Sequence, residues 1–166
     1  LWRYVMGDVI EFTSLFPFKI KITGRTKSYL NAFGEELMVQ NADKALSLTC
    51  SKHHCYLREY TAAPIYMSTA ETGAHEWLIE LEALPVNQEA FIQDFDAALC
   101  DQNSDYAAKR TGNLTLRPPV VHFLKKGSYY NWLKSLGKLG GQHKVPRLSN
   151  SRKYVDEILA FINNVD

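Results

Sequence analysis

The sequence predicts an α+β fold, a two-layer sandwich of a small mixed β-sheet and helices preceded by a short β-hairpin region. Residues 18–23 alternate strictly between apolar and polar side chains, as a half-buried strand does. From residue 35 the apolar residues recur at helical spacing instead. Strand-type and helix-type runs then interleave to the end of the chain, which is typical of a compact α+β domain.

The start of the chain is rich in β-type runs. Residues 2–6 and 9–13 precede the alternating strand 18–23, and residues 28–32 are expected to form another short strand. The composition changes near residues 25–34, where the strand-rich part gives way to the mixed part. We therefore expect a boundary there.

The mixed part carries the remaining elements. Helices are predicted at 35–49, 87–101, 103–110, 127–136 and 151–163, and strands at 55–66, 75–82 and 120–124. Asn87 is the expected N-cap of the second helix, and Pro118 and Pro119 should confine the last strand to the residues that follow them. The strands at 55–66 and 75–82 are expected to pair antiparallel.

Composition and charge exclude some classes of function. The 166 residues are 46% apolar and 22% charged with a net charge of +1, so no strong field favours nucleic acid or an anionic membrane. No apolar run is long enough for a membrane span. Three cysteines do not make a disulfide framework, and we expect reduced thiols in a cytoplasmic protein. The first residues resemble the middle of a strand, so we expect a piece of a longer chain.

An aspartate and an arginine are the first candidate site residues. Asp8 follows a β-type run, and a carboxylate at the end of a strand can accept hydrogen bonds from the two hydroxyls of a ribose. Arg25 can approach the same sugar. The alternative is structural, because Gly-Asp is common in turns between strands.

A glycine-rich loop at 137–147 carries the second candidate, Lys144. A lysine on a mobile loop suits a cation that must swing onto a phosphate or a carboxylate. The loop lacks the spacing of a P-loop, and its lysines have a plainer interpretation as solvated surface residues.

Two other groups have a structural alternative that we favour. Cys50, His53, His54 and Cys55 are residue types that bind zinc, but their spacing is cramped for one tetrahedral ion. The basic and aromatic residues in 125–134 resemble a nucleic-acid stacking surface, yet their helical spacing favours core packing. His75 and His122, in strand runs, are expected to be ordinary surface or core histidines.

Four segments in order resemble the adenylate-forming superfamily, and most closely the auxin-responsive Gretchen Hagen family of acyl-acid amido synthetases, including its bacterial members. They are Arg3-Tyr4-Val5-Met6-Gly7-Asp8-Val9, Gly24-Arg25-Thr26-Lys27, Asn103-Ser104-Asp105-Tyr106-Ala107-Ala108-Lys109-Arg110 and Gly141-Gln142-His143-Lys144-Val145-Pro146-Arg147. The resemblance spans nearly the whole chain.

The resemblance implies an enzyme in which a small C-terminal lid rotates over a large N-terminal domain. It implies that residues 1–26 end the N-terminal domain and that residues 27–166 form the lid. Asp8 would hold the ribose of ATP or AMP, with Arg25 near it. Thr26, Lys27 and Ser28 would be the hinge, and Lys144 would reach the α-phosphate during adenylation. Mg²⁺ would assist, and an amine, expected to be an amino acid, would then attack the acyl-adenylate.

The chain also departs from the family pattern. Plant members place a phosphate-contacting lysine shortly after the hinge, whereas residues 31–36 contain none. The phosphate loop and acid pocket of the N-terminal domain are missing, so this piece is not expected to be active alone. Two rival interpretations stay open: an acyl-CoA synthetase with a thiol acceptor, and a non-catalytic α+β binding module.

Overall fold

The computed structural model describes residues 7–25, 28–69, 71–113, 115–140 and 144–164. The strands are β1 (Asp8–Leu15), β2 (Phe18–Arg25), β3 (Tyr29–Leu30), β4 (Leu37–Met38), β5 (Leu57–Ile65), β6 (Ala74–Leu81) and β7 (Val120–Leu124). The helices are α1 (Val39–Lys52), α2 (Gln88–Gln102), α3 (Ser104–Arg110), α4 (Ser128–Ser135) and α5 (Lys153–Asn163). The first predicted run, 2–6, lies outside the described residues.

A three-stranded mixed sheet forms the centre of the fold. β6 pairs antiparallel with β5 and parallel with β7, so it is the middle strand, and all eight of its residues are buried. This confirms the α+β class, the small mixed sheet and the antiparallel pair. Helices cover both faces of the sheet, so the fold has three layers with the sheet in the centre, whereas the sequence predicted two.

Each face of β6 packs against a different pair of helices, because successive side chains of a strand point to opposite faces. Trp77 and Ile79 pack with α1 and α2 in the larger core. Leu78 packs with α4 and α5 in the smaller one.

Two buried carboxylates anchor the helices of the smaller core. Glu80 accepts hydrogen bonds from the backbone N–H groups of Gly127 and Tyr129, at 2.8 and 3.0 Å, and so satisfies the N-terminus of α4. Glu76 accepts a bond of 2.6 Å from Arg152, which precedes α5. His122 contacts the other oxygen of Glu76 at 2.8 Å. His122 is therefore part of a structural ion-pair network.

The hairpin β1–β2 exposes an apolar face. Ile10 is paired with Ile22 and Phe12 with Ile20, and all four side chains are roughly half exposed or more, Phe12 at 55% and Ile20 at 56%. Glu11 and Lys21 are paired on the other face. This apolar face, defined by Ile10, Phe12, Ile20 and Ile22, is largely exposed in the described part of the chain.

Candidate functional site

The hairpin register brings the predicted ribose-binding residues together. Asp8 begins β1, Arg25 ends β2, and their backbone positions are directly opposite each other. Both therefore lie at the open end of the hairpin, where the chain leaves for the rest of the fold.

The predicted hinge falls only partly within the described residues. Thr26 and Lys27 lie outside them. Ser28 is half-buried and directly precedes β3. The hinge assignment stays a prediction.

Lys144 lies just before a segment that pairs with the central sheet. Gly141, Gln142 and His143, which precede it, lie outside the described residues, and Lys144 itself is exposed in a segment without regular structure. Within the described part of the chain no carboxylate forms an ion pair with Lys144.

The chain pairs with the edge of the sheet just after Lys144. The carbonyl of Arg147 accepts a 2.7 Å bond from the N–H of Ala62, and the N–H of Ser149 donates a 3.1 Å bond back to the carbonyl of Ala62. Leu148, between them, is buried in the larger core. Residues 147–149 therefore extend the edge of β5, and Lys144 lies three residues before this anchor.

The Arg147 side chain fixes the same segment to α1. Its guanidinium donates to both carboxylate oxygens of Asp43, at 3.0 and 2.9 Å, and to Glu59 at 3.2 Å. It also lies 5.3 Å from the ring centroid of Tyr60, whose hydroxyl donates to Asp43 at 2.7 Å. We call Arg147, Asp43, Glu59 and Tyr60 the Arg147 clamp.

The surroundings of the clamp favour a charged Arg147 and a neutral Tyr60. Burial lowers the pKa of Arg147, but the two carboxylates outweigh that effect, so its pKa is raised. Burial and the Asp43 carboxylate raise the pKa of Tyr60 well above its ordinary value. Tyr60 therefore stays a neutral hydrogen-bond donor.

A cleft of about 380 Å³ adjoins the clamp. Lys21 and Ile22 of β2 line one side of it, and Asp43, Lys44 and other residues of α1 line the other. The cleft thus lies between the hairpin that carries Asp8 and Arg25 and the helix that holds Arg147. Sequence reasoning missed the clamp, because its members are far apart along the chain.

Residues 31–36, which lack the lysine of plant members, form a loop held by a buried carboxylate. Glu35 accepts bonds from the N–H groups of Ala32 and Phe33, at 3.1 and 2.7 Å, and contacts His75 Nε2 at 2.9 Å. The side chains of Glu35 and His75 are both 0% exposed. His75 is therefore a core histidine that fixes this loop.

The motif at residues 103–110 is structural in this fold. Asn103 caps α3 by accepting a 2.7 Å bond from the N–H of Tyr106. Tyr106 donates to Asp96 at 2.7 Å, and Arg110 makes a bidentate ion pair with the same carboxylate, with contacts of 2.6 and 2.9 Å. The motif therefore joins α3 to α2.

The structure explains the other two residue groups, the cysteine–histidine cluster and the basic and aromatic run, by packing within the fold. His53 Nε2 lies 2.8 Å from a carboxylate oxygen of Asp94, while Cys50 and Cys55 are neighbours of each other. The described residues contain no group of three or more side chains placed to hold a metal ion. Tyr129 and Trp132 of the basic and aromatic run are buried in the smaller core. In the described residues no helix is long and apolar enough to cross a membrane.

Comparison with known proteins identifies a matching family and similar solved structures. Residues 40–153 match the model of the GH3 family C-terminal domain. A solved GH3.15 acyl acid amido synthetase superposes with a TM-score of 0.76 at 19% identity, over 96% of this chain and 31% of that one. AtGH3.15 acyl acid amido synthetase in complex with 2,4-DB gives 0.73 at 19%, over 96% and 30%. The chain spans about a third of the length of these neighbours. No curated protein matches significantly.

Proposed function

The chain belongs to the GH3 family as its C-terminal domain, and on that premise we propose that it is the mobile lid of an ATP-dependent ligase. The enzyme would activate a carboxylic acid as an acyl-adenylate and transfer the acyl group to an amine, expected to be an amino acid. Residues 27–166 would form the lid, residues 1–26 would end the preceding ATP- and acid-binding domain, and Thr26, Lys27 and Ser28 would form the hinge.

The observation that carries this proposal is the placement of Lys144. It is an exposed ammonium three residues from a firmly anchored residue, Arg147. Attack of a carboxylate on the α-phosphate brings two anions together and develops charge on the leaving pyrophosphate. A lysine delivered by lid rotation would stabilise that transition state, and it would leave with the lid before the amine attacks.

Asp8 and Arg25 would bind the nucleotide at the border between the two parts. Their opposed backbone positions support this role, because one carboxylate can accept bonds from both ribose hydroxyls. Mg²⁺, when bound, would neutralise phosphate charge. The described residues hold no cluster suited to a metal, so its ligands are expected from ATP and the rest of the enzyme.

Acid-dependent exchange of pyrophosphate into ATP, measured in the full-length enzyme with a panel of acids, tests the function. Lys144→Ala should lower the exchange rate by about 100-fold and leave the melting temperature unchanged, because the side chain is exposed. Lys138→Ala, at another exposed lysine of the same loop, is the matched control. Equal exchange in the two variants would refute the role of Lys144.

The same assay separates the other assignments. Asp8→Asn should raise the KM for ATP, and an unchanged KM would exclude ribose binding. Exchange followed by release of a thioester with coenzyme A, and no amide with any amino acid, would identify a thiol acceptor instead. Absence of exchange with every acid would favour a non-catalytic module.

A further inference from the structure

Helix α1 ends in a hydrogen-bonded motif that places two cysteines side by side. The N–H of Cys55 bonds to the carbonyl of Cys50 at 3.0 Å, and the N–H of His54 bonds to the carbonyl of Ser51 at 3.3 Å. His54 has a left-handed backbone with φ of 53°. These are the features of a Schellman motif, in which the side chains of the third-last helical residue and the second residue beyond the cap meet. Here those residues are Cys50 and Cys55.

The two cysteines lie side by side in the wall of a cleft. Both line the cleft and pack in the larger core, at 5% and 8% exposed. The cleft has a volume of about 570 Å³, and Ser47, Ser51, His54 and Tyr56 complete its polar lining. The thiols are therefore shielded from large molecules but border a space that a small reagent can enter.

We propose that Cys50 and Cys55 form a dithiol modification site, which a small disulfide converts to an intramolecular disulfide by thiol–disulfide exchange. A disulfide requires Cα atoms about 4.4–6.8 Å apart. The bond between the N–H of Cys55 and the carbonyl of Cys50 already holds the two backbones close, so the bridge forms without unwinding α1. This site is independent of Lys144 and of the ligase reaction.

The chemistry assigns different tasks to the two sulfurs. Burial and the neighbouring Cys55 raise the pKa of Cys50, which makes Cys50 the slower nucleophile. The Cys55 sulfur therefore attacks first: it gives up its proton, bonds to one sulfur of the small disulfide, and the small thiolate that leaves takes up that proton. The Cys50 sulfur then gives up its proton as it attacks the Cys55 sulfur, and the second small thiolate leaves and takes up the Cys50 proton. In sum, one small disulfide and two protein thiols give one protein disulfide and two small thiols.

The third cysteine is an internal control. Cys100 lies on α2, is partly exposed and does not line the cleft. It has no described cysteine beside it, so an adduct formed there with a small thiol should persist rather than resolve.

The experiment is oxidation of the folded full-length enzyme with glutathione disulfide, followed by alkylation and peptide mass spectrometry. Wild type and Cys100→Ser should yield a peptide in which Cys50 and Cys55 are joined. Cys50→Ser should instead accumulate a stable glutathione adduct on Cys55, about 10-fold above wild type, because the neighbouring thiol that removes it is gone. A persistent adduct on Cys55 in wild type, or no reaction at either cysteine, would overturn the proposal.

A second measurement needs no variant and so does not depend on the folding of a mutant. An organic arsenic(III) oxide condenses with two adjacent thiols to release one water. In the native enzyme it should protect Cys50 and Cys55 together from alkylation and leave Cys100 reactive. Independent alkylation of Cys50 and Cys55 in its presence would show that they do not act as a pair.

Discussion

At the scale of single residues, the buried Glu35–His75 pair determines the path of the loop between β3 and β4. Glu35 accepts two backbone N–H bonds and contacts His75 with no exposure to solvent. Burial raises the pKa of Glu35, but the bond and charge of His75 and the N–H of Phe33 outweigh it, so the pKa falls below its ordinary 4.5. The ionised carboxylate is thus favoured by folding.

This pair should make the domain sensitive to acid. A lowered folded-state pKa adds stability that is fully present above pH 4.5 and is lost as pH falls through the folded value. Glu35→Gln should cost roughly 3 kcal/mol at neutral pH, and the difference from wild type should shrink below pH 4.5. Urea unfolding across this pH range measures it. A difference that is constant with pH would contradict a lowered pKa of Glu35.

Local patterns predict some of these residues and not others. Asn87 caps α2 as expected, with a 2.9 Å bond from the N–H of Ala90, since a cap depends on neighbours in sequence. His75 is a core histidine, one of the two outcomes expected for it, but its partner Glu35 could not be predicted, because Glu35 lies 40 residues away along the chain. The Arg147 clamp gave no sequence signal for the same reason, since Asp43 lies 104 residues from Arg147.

At the scale of elements, α1 shows where periodicity misleads. A helix was predicted at 35–49, but α1 spans Val39–Lys52. The start was wrong because Leu37 and Met38 fit the apolar helical face yet pair with β3 instead. The other four predicted helices and the three strands of the main sheet are confirmed with shifts at their ends. The pairing of β3 with β4, rather than apolar periodicity, determines the start of α1.

The segment after Lys144 is the element on which catalysis would depend. We predict that Arg147→Ala in the full-length enzyme lowers kcat for adenylation on the order of 10-fold, because loss of the clamp misplaces Lys144. Arg147→Lys should restore only part of kcat, since one ammonium cannot replace both the Nη1 contact with Asp43 and the Nε contact with Glu59. Pyrophosphate exchange with saturating ATP and acid measures kcat.

A double-mutant cycle controls for loss of fold. Asp43→Asn should lower kcat similarly, and combining it with Arg147→Ala should add little, because both remove one interaction. Additive losses, or a lower melting temperature with unchanged kcat, would show that the clamp supports the fold and does not position Lys144.

At the scale of the whole molecule, the hairpin and the mixed sheet differ in how well they are covered. The sheet is buried between two helical layers, whereas the apolar face of the hairpin is exposed in the described chain. An apolar face of this kind marks a contact surface. Because the solved neighbours are about three times as long as this chain, we expect the preceding domain of the same enzyme to cover it.

Polar substitution of that face should therefore affect the 166-residue chain and the full-length enzyme differently. In the 166-residue chain, Phe12→Ser with Ile20→Ser should reduce self-association and leave the melting of the helical body unchanged, because both side chains are exposed there. In the full-length enzyme the same two substitutions should lower the free energy of unfolding by about 2–4 kcal/mol, because burial of two large apolar side chains is lost.

Glu11→Ser, on the opposite face, is the control. Calorimetry measures the stability of both forms, and sedimentation measures the self-association of the 166-residue chain. If the double substitution leaves the full-length enzyme as stable as the control does, the hairpin is not buried against the preceding domain, and the boundary at residue 26 must be placed elsewhere.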